Sequence, residues 1–225
     1  MPKHVVKTIF MKFTPVLAGA VMVLAVIAPQ LTSAEAQEKA QKAALPPLAE
    51  ILSDRISGKA DAPVTIIEYA SKTCPHCANF HTGTLPALKK EFIDTGKVKL
   101  IYRDFPLDGL ALAAAMMARC APKERYFPIV DIMYRTQQNW SRAADPNAAL
   151  AQIGLLSGIS KETIQACISS KDVHAGVMKI RGDGDKQYKV ASTPTIIING
   201  ETFKGPATIE RLRKVLDAEL VKAKK

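Results

Sequence analysis

The sequence predicts an α/β fold in which a block of helices is inserted between two groups of strands. Residues 64–70 and 98–105 are rich in β-branched and aromatic side chains, and a helical pattern separates them, which is the order of a parallel βαβ unit. Helical periodicity then covers residues 107–187. Strand-forming residues return at 195–203, and an amphipathic helix is predicted over residues 207–222. The predicted order is therefore βαβ, a helical insertion, and ββα.

The first 34 residues have the pattern of a secretory signal peptide. Three lysines precede an apolar run over residues 13–28, no acidic residue occurs before Glu35, and the segment ends in small residues. The apolar run is short for a membrane span of about 20 residues, so cleavage near Ala34 is favoured over an uncleaved anchor. Met11, which a lysine follows, would also make a suitable start for such a segment.

Composition and charge narrow the class of protein. Of the 225 residues, 48% are hydrophobic, which is enough for a sizeable core. The net charge is +10, and removal of residues 1–34, which hold three lysines and no acid, would leave +7. No basic stretch is interleaved with aromatic residues. A basic, solvated surface is therefore favoured over nucleic-acid or membrane-surface binding.

Breaks in the sequence set the expected element boundaries. Residues 35–60 form a polar, Ala-rich N-terminal extension, in which Leu48–Ile56 is predicted to be one short helix. Residues 61–106 hold the βαβ unit. Pro75 suits the first turn of its helix because the missing N–H needs no partner there, and Gly96 suits the helix end.

Glycines divide the insertion, residues 107–187, into short helices. The predicted helices are Leu110–Cys120, Tyr126–Thr136, Pro146–Leu156, Lys161–Ser169 and Asp172–Arg181. Gly182 and Gly184 are expected to end this block. In the last part, residues 188–225, an Asn-Gly dipeptide at 199–200 between strand-forming residues predicts a tight hairpin.

The strongest chemical signal is Cys74-Pro75-His76-Cys77, which lies between a strand and a helix. At a helix N-terminus, free N–H groups and the helix dipole favour the Cys74 thiolate, and a protonated His76 would add positive charge. A stabilised thiolate favours the reduced pair, so the disulfide becomes an oxidant. Cys77, one turn into the helix, would be less exposed and would resolve the mixed disulfide formed at Cys74.

Two other interpretations of this motif are disfavoured. Half of a zinc site would need a second Cys-x-x-Cys, but Cys120 and Cys167 are 47 residues apart. A purely structural disulfide does not explain a position directly after a strand and before a helix. The motif therefore predicts thiol–disulfide exchange, which needs no metal or organic cofactor.

Several motifs match those of a known family. They are Gly58–Pro63, Ile67–Tyr69, Cys74–Cys77, Arg103–Leu107 and Ser192–Thr195. In these motifs, and over about residues 58–222, the chain resembles the DsbA family of bacterial disulfide oxidases. The resemblance implies a thioredoxin fold with an inserted all-helical domain and a periplasmic location. It also implies substrates that are exported, incompletely folded proteins with free cysteines, and reoxidation by a DsbB-like membrane quinone reductase.

The resemblance assigns further residues to the site. Members of the family carry a cis proline facing the disulfide, and Pro194 matches it, although an ordinary trans proline at a strand start is the alternative. A cis bond would turn the Thr193 backbone toward a substrate strand. Glu68 matches a buried acid that exchanges a proton with Cys77 or raises its pKa; the alternative is a salt-bridged or exposed acid. His81 is expected on the helix surface.

Cys120 and Cys167 lie on two predicted helices of the insertion. An even number of cysteines in an exported chain, and the additional disulfide of some DsbA-like proteins, favour a structural bond between them. In the chain-entropy model such a bond is worth on the order of 3–4 kcal/mol. Two buried thiols are the alternative.

Three functions are compatible with these features. A disulfide oxidase for exported proteins is favoured. A disulfide isomerase or reductase of the same fold is the second, although isomerases usually oligomerise through an extra N-terminal domain, for which residues 35–57 are short. A non-catalytic, peptide-binding periplasmic holdase is the third, and the intact Cys-Pro-His-Cys motif argues against it.

Overall fold

The computed structural model describes residues 45–224. The expected signal peptide and residues 35–44 of the expected N-terminal extension lie outside the described residues. Within the described part of the chain, no helix has the length and apolar character needed to cross a membrane.

A five-stranded mixed sheet has the strand order β1-β3-β2-β4-β5. The strands are β1 Arg55–Ser57, β2 Val64–Ala70, β3 Val98–Asp104, β4 Thr195–Ile198 and β5 Glu201–Thr202. The central strand β2 pairs with β3 in parallel and with β4 in antiparallel orientation, which sets Glu68 between Tyr102 and Ile196. The antiparallel edge strands are β1 and β5. This sheet confirms the predicted α/β class and its parallel βαβ unit.

The single helix predicted over Leu48–Ile56 is wrong in its second half. Helix α1 covers only Leu48–Ile51, and the chain then enters β1. The buried guanidinium of Arg55 donates to the main-chain carbonyl of Arg119 at 2.9 Å, which anchors β1 to a distant helix. Local periodicity contains no information about a partner 64 residues away.

A composite helix, α2, connects β2 to β3. Its consecutive parts are α-helical Pro75–Asn79, π-helical Phe80–Thr84, α-helical Leu85–Leu88 and π-helical Lys89–Ile93. As predicted, Pro75 is in the first turn, and Gly96 follows the helix end with a φ of 75°. Each π-helical turn adds a residue, so the side chains after it are rotated relative to an ideal α-helix.

Six helices and one short 3₁₀ turn connect β3 to β4. They are α3 Gly109–Arg119, the 3₁₀ turn Lys123–Arg125, α4 Tyr126–Arg135, α5 Gln137–Ser141, α6 Pro146–Leu156, α7 Lys161–Ile168 and α8 Lys171–Tyr188. The predicted helices are confirmed, but α8 continues through Gly182 and Gly184, where an end was expected. A β-carbon at Gly184 would lie 2.4 Å from the ring of Tyr69. This glycine therefore permits close packing of α8 on β2.

The C-terminal part contains the predicted hairpin and helix. Asn199 and Gly200 form the turn between β4 and β5 with φ values of 47° and 92°. Helix α9, Ile209–Lys222, packs Leu212 and Leu216 against one face of the sheet, which α2 also covers. The end of α8 packs on the opposite face. Glu68 projects from the face under α2, where the catalytic chemistry was predicted.

Candidate active site at the start of α2

Cys74 and Cys77 lie where the chain passes from β2 into α2. Cys74 directly precedes the helix, and its carbonyl accepts the N–H of Ala78 at 3.1 Å. Cys74 is 6% exposed and Cys77 is 0% exposed, which confirms the predicted order of accessibility. Both residues are thiols in this structure. An incoming group can therefore reach only the first sulfur.

The Thr193–Pro194 peptide bond is cis, as the resemblance implied. The Thr193 carbonyl lies 3.3 Å from Cys74 Sγ and accepts a hydrogen bond from the thiol. The hydroxyl of Thr193 is buried and has no hydrogen-bond partner among the described residues. The segment before β4 thus brings extended backbone next to the accessible sulfur.

The pKa of the Cys74 thiol is lowered to about 5. The largest cause is a hydrogen bond from the Cys77 thiol, and the side chain of Thr193 and the backbone N–H groups of Cys77 and His76 add to it. These contributions outweigh the burial of Cys74, which alone would raise the pKa. Cys74 is therefore a thiolate at neutral pH, the nucleophilic form.

The pKa of the Cys77 thiol is shifted in the opposite direction. Burial is the main cause, followed by the hydrogen bond to Cys74 and the nearby negative charge of Glu68. Glu68 is 0% exposed, as the buried-acid prediction required. The reduced pair therefore holds one proton, and this proton belongs to Cys77.

Glu68 has a partner that the sequence analysis did not identify. The Nε2 atom of His81 lies 3.0 Å from both carboxylate oxygens of Glu68. His81 is buried, so the expectation that it lies on the helix surface is wrong. The spacing of four residues from Cys77 was an available signal, because such residues share one helix face.

A buried ionic network lies beneath the loop between β2 and α2. The Lys72 ammonium donates to Asp104 and to the Tyr102 hydroxyl, each at 2.7 Å, and Arg119 Nε donates to Asp104 at 2.6 Å. Burial alone would raise the pKa of Asp104, but Lys72 and Arg119 outweigh it and lower the pKa to about 2. The network ties the residues before Cys74 to β3 and α3.

Gln137 fixes the same loop from α5. Its side-chain amide donates to the carbonyls of Lys72 at 2.8 Å and Cys74 at 3.0 Å. Neither Gln137 nor Lys72 was predicted from the sequence to belong to the site. The visible signal for Lys72 was a lysine two residues before Cys74, whereas nothing local marks Gln137.

A cleft of about 340 Å³ opens beside the cis peptide bond. Its lining includes His76, Phe80, Pro194, Phe203 and Pro206. The cleft combines aromatic surface with the backbone next to Cys74. An extended peptide lying there would present a cysteine to the reactive sulfur.

The second cysteine pair is a disulfide, as predicted. Cys120, at the end of α3, and Cys167, in α7, are bonded with Cα atoms 6.2 Å apart. Both residues are buried. Trp140, Met116, Met117 and Met133 of the insertion are also buried. Among residues 45–224, no group of His, Cys, Asp or Glu side chains is arranged to hold a metal ion.

The chain is similar in sequence to proteins with disulfide chemistry. The thioredoxin family matches residues 51–218. A putative protein-disulfide oxidoreductase of Rickettsia bellii is 32% identical over 149 residues, which are 66% of this chain and 58% of that protein. A probable disulfide bond formation protein D of Bacillus cereus is 30% identical over 171 residues, 73% of this chain and 78% of that protein. The matched region thus spans less than two thirds of the rickettsial relative.

Solved structures show the same architecture. The crystal structure of Wolbachia pipientis alpha-DsbA1 matches with a TM-score of 0.70 at 29% identity, over 76% of this chain and 92% of that one. Oxidised BdbD of Bacillus subtilis matches with a TM-score of 0.67 at 23% identity, over 79% of this chain and 96% of that one. At this lower identity the second match supports the fold alone.

Proposed function

The chain belongs to the DsbA-like members of the thioredoxin family, and from this membership we propose that it is an exported thiol:disulfide oxidoreductase that introduces disulfide bonds into newly exported proteins. Cys74 and Cys77 are the proposed redox pair, and export rests on the pattern of residues 1–34. The proposed substrates are exported, incompletely folded proteins with free cysteines. Reoxidation by a DsbB-like membrane quinone reductase is part of the proposal and rests on family resemblance.

The proposed reaction has two exchange steps. A substrate thiolate attacks Cys74 of the oxidised pair, which forms a mixed disulfide and releases Cys77 as a thiolate that takes up one proton. A second substrate thiolate attacks the substrate sulfur of the mixed disulfide, which completes the substrate disulfide and releases Cys74 as a thiolate. The substrate loses two electrons and two thiol protons. One proton resides on Cys77 and the other enters solvent, because Cys74 stays ionised above its pKa of about 5.

The difference between the two thiols is the observation that carries this proposal. The low pKa of Cys74 stabilises the leaving thiolate and the reduced pair. A pair whose reduced form is stabilised transfers its disulfide readily to other thiols. The chemistry of the site therefore favours donation of a disulfide over reduction of one.

Substrate binding is proposed for the backbone and cleft beside Cys74. The cis peptide bond presents the backbone of Thr193 to a substrate strand, and Pro194 forms part of the adjoining cleft. Main-chain hydrogen bonds of this kind do not depend on substrate sequence. This suits an enzyme that must act on many exported proteins. His76 lines the same cleft, and Pro75 starts the helix whose N–H groups face the Cys74 sulfur.

Two alternatives remain testable. A disulfide isomerase or reductase would use the same pair with a more reducing potential, and an isomerase is expected to be oligomeric. Light scattering of the purified protein discriminates, since a monomer counts against an isomerase. A non-catalytic holdase would retain its cellular role when Cys74 is replaced by serine.

The first test is the reduction potential of the Cys74–Cys77 pair, measured by equilibration of the purified protein in glutathione buffers. A variant carrying both Cys120→Ser and Cys167→Ser is the matched control, because only the proposed redox pair remains in it. A potential near about −120 mV, like that of DsbA, supports a disulfide donor. A potential near about −270 mV, like that of thioredoxin, identifies a reductase and overturns the proposed direction of electron flow.

A further inference from the structure

The buried Glu68–His81 pair is connected to solvent on the side of α2 away from the Cys74 cleft. His81 lies in the first π-helical part of α2 and stacks on Tyr134, with the ring centroids 4.2 Å apart. The rings of His81 and Tyr102 lie edge to face, with their centroids 5.7 Å apart. His81 additionally lines a separate cleft of about 370 Å³, so it joins the interior to this cleft.

The chemistry of Cys77 requires such a connection. Cys77 takes up a proton when the pair is reduced and loses one when the pair is oxidised, yet it is 0% exposed. Glu68 is the acid whose charge acts on Cys77, and Glu68 is also 0% exposed. Neither group can exchange a proton directly with bulk water. Within residues 45–224, the hydrogen bonds of the Glu68 carboxylate go only to His81.

The cleft at His81 lies between α2 and α4. Its walls are mainly apolar and include Leu85, Pro86, Phe127 and Pro128. The Nδ1 atom of His81 has no hydrogen-bond partner among the described residues, whereas Nε2 faces Glu68. A proton taken up at Nδ1 from the cleft would allow the Nε2 proton to pass to Glu68, because the imidazole ring carries charge between its two nitrogens.

The other charged groups along this cleft are already paired. Asp131 and Arg135 of α4 bind each other at 2.8 Å, and Lys89 of α2 binds Asp94. The groups that face His81 from the surrounding elements are Glu68 of β2, Tyr102 of β3 and Tyr134 of α4. His81 is therefore the group that links the sealed carboxylate to the cleft.

We propose that His81 is a positioning residue that relays protons between the α2–α4 cleft and Glu68, and through Glu68 to Cys77. The inference rests on the proposed roles of Cys74 and Cys77, and it holds for either direction of electron flow. The relay moves one proton to Cys77 when the pair is reduced and one proton away from Cys77 when it is oxidised, and it leaves the number of electrons unchanged. A purely structural His81 would instead stack on Tyr134 and have no effect on proton transfer.

The test separates the chemistry of the two cysteines. Reduced protein reacts with the disulfide of thionitrobenzoate, a reagent whose released thiolate is coloured. Cys74 attacks first and releases one thionitrobenzoate. Cys77 then loses its proton, attacks the Cys74 sulfur, and releases the second, so the pair gives two electrons to the reagent. The two releases are followed by stopped-flow absorbance over a range of pH.

His81→Gln keeps a hydrogen-bond donor for Glu68 but cannot relay a proton. We expect its first release to match the wild-type rate, and its second release to be slowed by roughly 10²-fold, the low end of a positioned acid–base contribution. The pH profile of the second release should change shape as well. His174→Gln on the exposed surface of α8 is the matched control. Equal second-step rates and pH profiles in the two variants would overturn the proposal.

Chemical rescue provides the second readout. His81→Ala leaves space continuous with the cleft, and added imidazole should restore most of the second-step rate in this variant but none in His81→Gln. Thermal melts establish that both variants are folded. A folded His81→Ala whose second step stays slow in imidazole assigns His81 to packing and overturns the relay. A reduction potential like that of thioredoxin would refute the proposed function, but it would not change what the His81 variants show about proton transfer.

Discussion

The two cysteine pairs place the same side chain in opposite surroundings. Cys74 and Cys77 are three positions apart at the start of α2, and backbone N–H groups point at the first sulfur. Cys120 and Cys167 are 47 positions apart and join α3 to α7 inside an apolar cluster. The first pair is found as thiols and the second as a disulfide.

This difference indicates what makes a cysteine pair exchangeable. Thiol–disulfide exchange needs access to one sulfur and stabilisation of the thiolate that leaves. Cys74 has both, through the adjoining cleft and its low pKa. Cys120 and Cys167 pack instead against Val173 and Val177, where an incoming thiolate has no route. The first pair is therefore proposed to be catalytic and the second structural.

The largest expected effect is the loss of catalysis on removal of the accessible sulfur. Cys74→Ser should abolish oxidation of a dithiol peptide, because Cys77 alone cannot form the intramolecular disulfide that accepts the two electrons of the substrate. Cys77→Ser should still attack a peptide disulfide through the Cys74 thiolate, releasing one peptide thiolate, and should accumulate the mixed disulfide because the resolving thiol is missing. Rates and trapped adducts are measured by quenched-flow mass spectrometry. Adducts formed on Cys77 instead would reverse the assigned roles.

Loss of the second pair should reduce stability and leave activity intact. The double variant Cys120→Ser with Cys167→Ser is expected to lower the free energy of unfolding by about 3–4 kcal/mol, because the unfolded chain loses a long closed loop. Urea unfolding measures this change, and dithiol oxidation measures the activity. A variant of normal stability but reduced activity would show that the second pair takes part in redox chemistry.

The sequence was sufficient for the features that depend on local pattern. It predicted the Cys-x-x-Cys motif at a helix start, the Asn-Gly hairpin, and the strands β2 and β3. The cis bond at Pro194 and the buried position of Glu68 followed from family resemblance, since neither has a local signature. Of these features, the Cys-x-x-Cys motif and the cis bond at Pro194 bring the reactive sulfur next to the backbone of Thr193.

The sequence was not sufficient where long-range contacts decide the structure. His81 was expected on the surface because its partner, Glu68, belongs to a strand rather than to its own helix. Strand β1 depends on Arg55 reaching Arg119, and Gln137 holds a loop 63 residues away at Cys74. Such partners become visible only when the chain is folded.

The pH dependence of stability gives a further test of the difference between the two cysteine pairs. The pKa of Cys74 falls from an ordinary value of 9.0 to about 5 in the folded, reduced protein. A group whose pKa is lower in the folded protein contributes its full stabilisation at pH values above its pKa in the unfolded chain. It contributes none at pH values below its pKa in the folded protein. The reduced protein should therefore gain stability relative to the oxidised protein as pH rises from about 5 to about 9. Urea unfolding of both forms measures the difference.

Reduced Cys74→Ser is the control for this pH series, because it lacks the titrating thiolate. Its stability relative to the oxidised protein should stay nearly constant between the two pKa values. An equal trend in the variant would attribute the pH dependence to another group, and the low pKa of Cys74 would then be wrong.

The smallest expected effect concerns Thr193, whose carbonyl contacts Cys74 while its hydroxyl is buried without a partner among the described residues. Thr193→Val keeps the shape of the side chain and removes the unsatisfied hydroxyl, so it should raise the free energy of unfolding by about 1 kcal/mol. Thr195→Val is the matched control, because the Thr195 hydroxyl donates to the Ser192 carbonyl at 2.7 Å and its removal should destabilise the fold. If urea unfolding shows a higher free energy of unfolding for Thr193→Val and a lower one for Thr195→Val, the natural chain keeps a polar group beside the reactive sulfur at a cost in stability. A destabilised Thr193→Val would instead mean that this hydroxyl is hydrogen-bonded in solution.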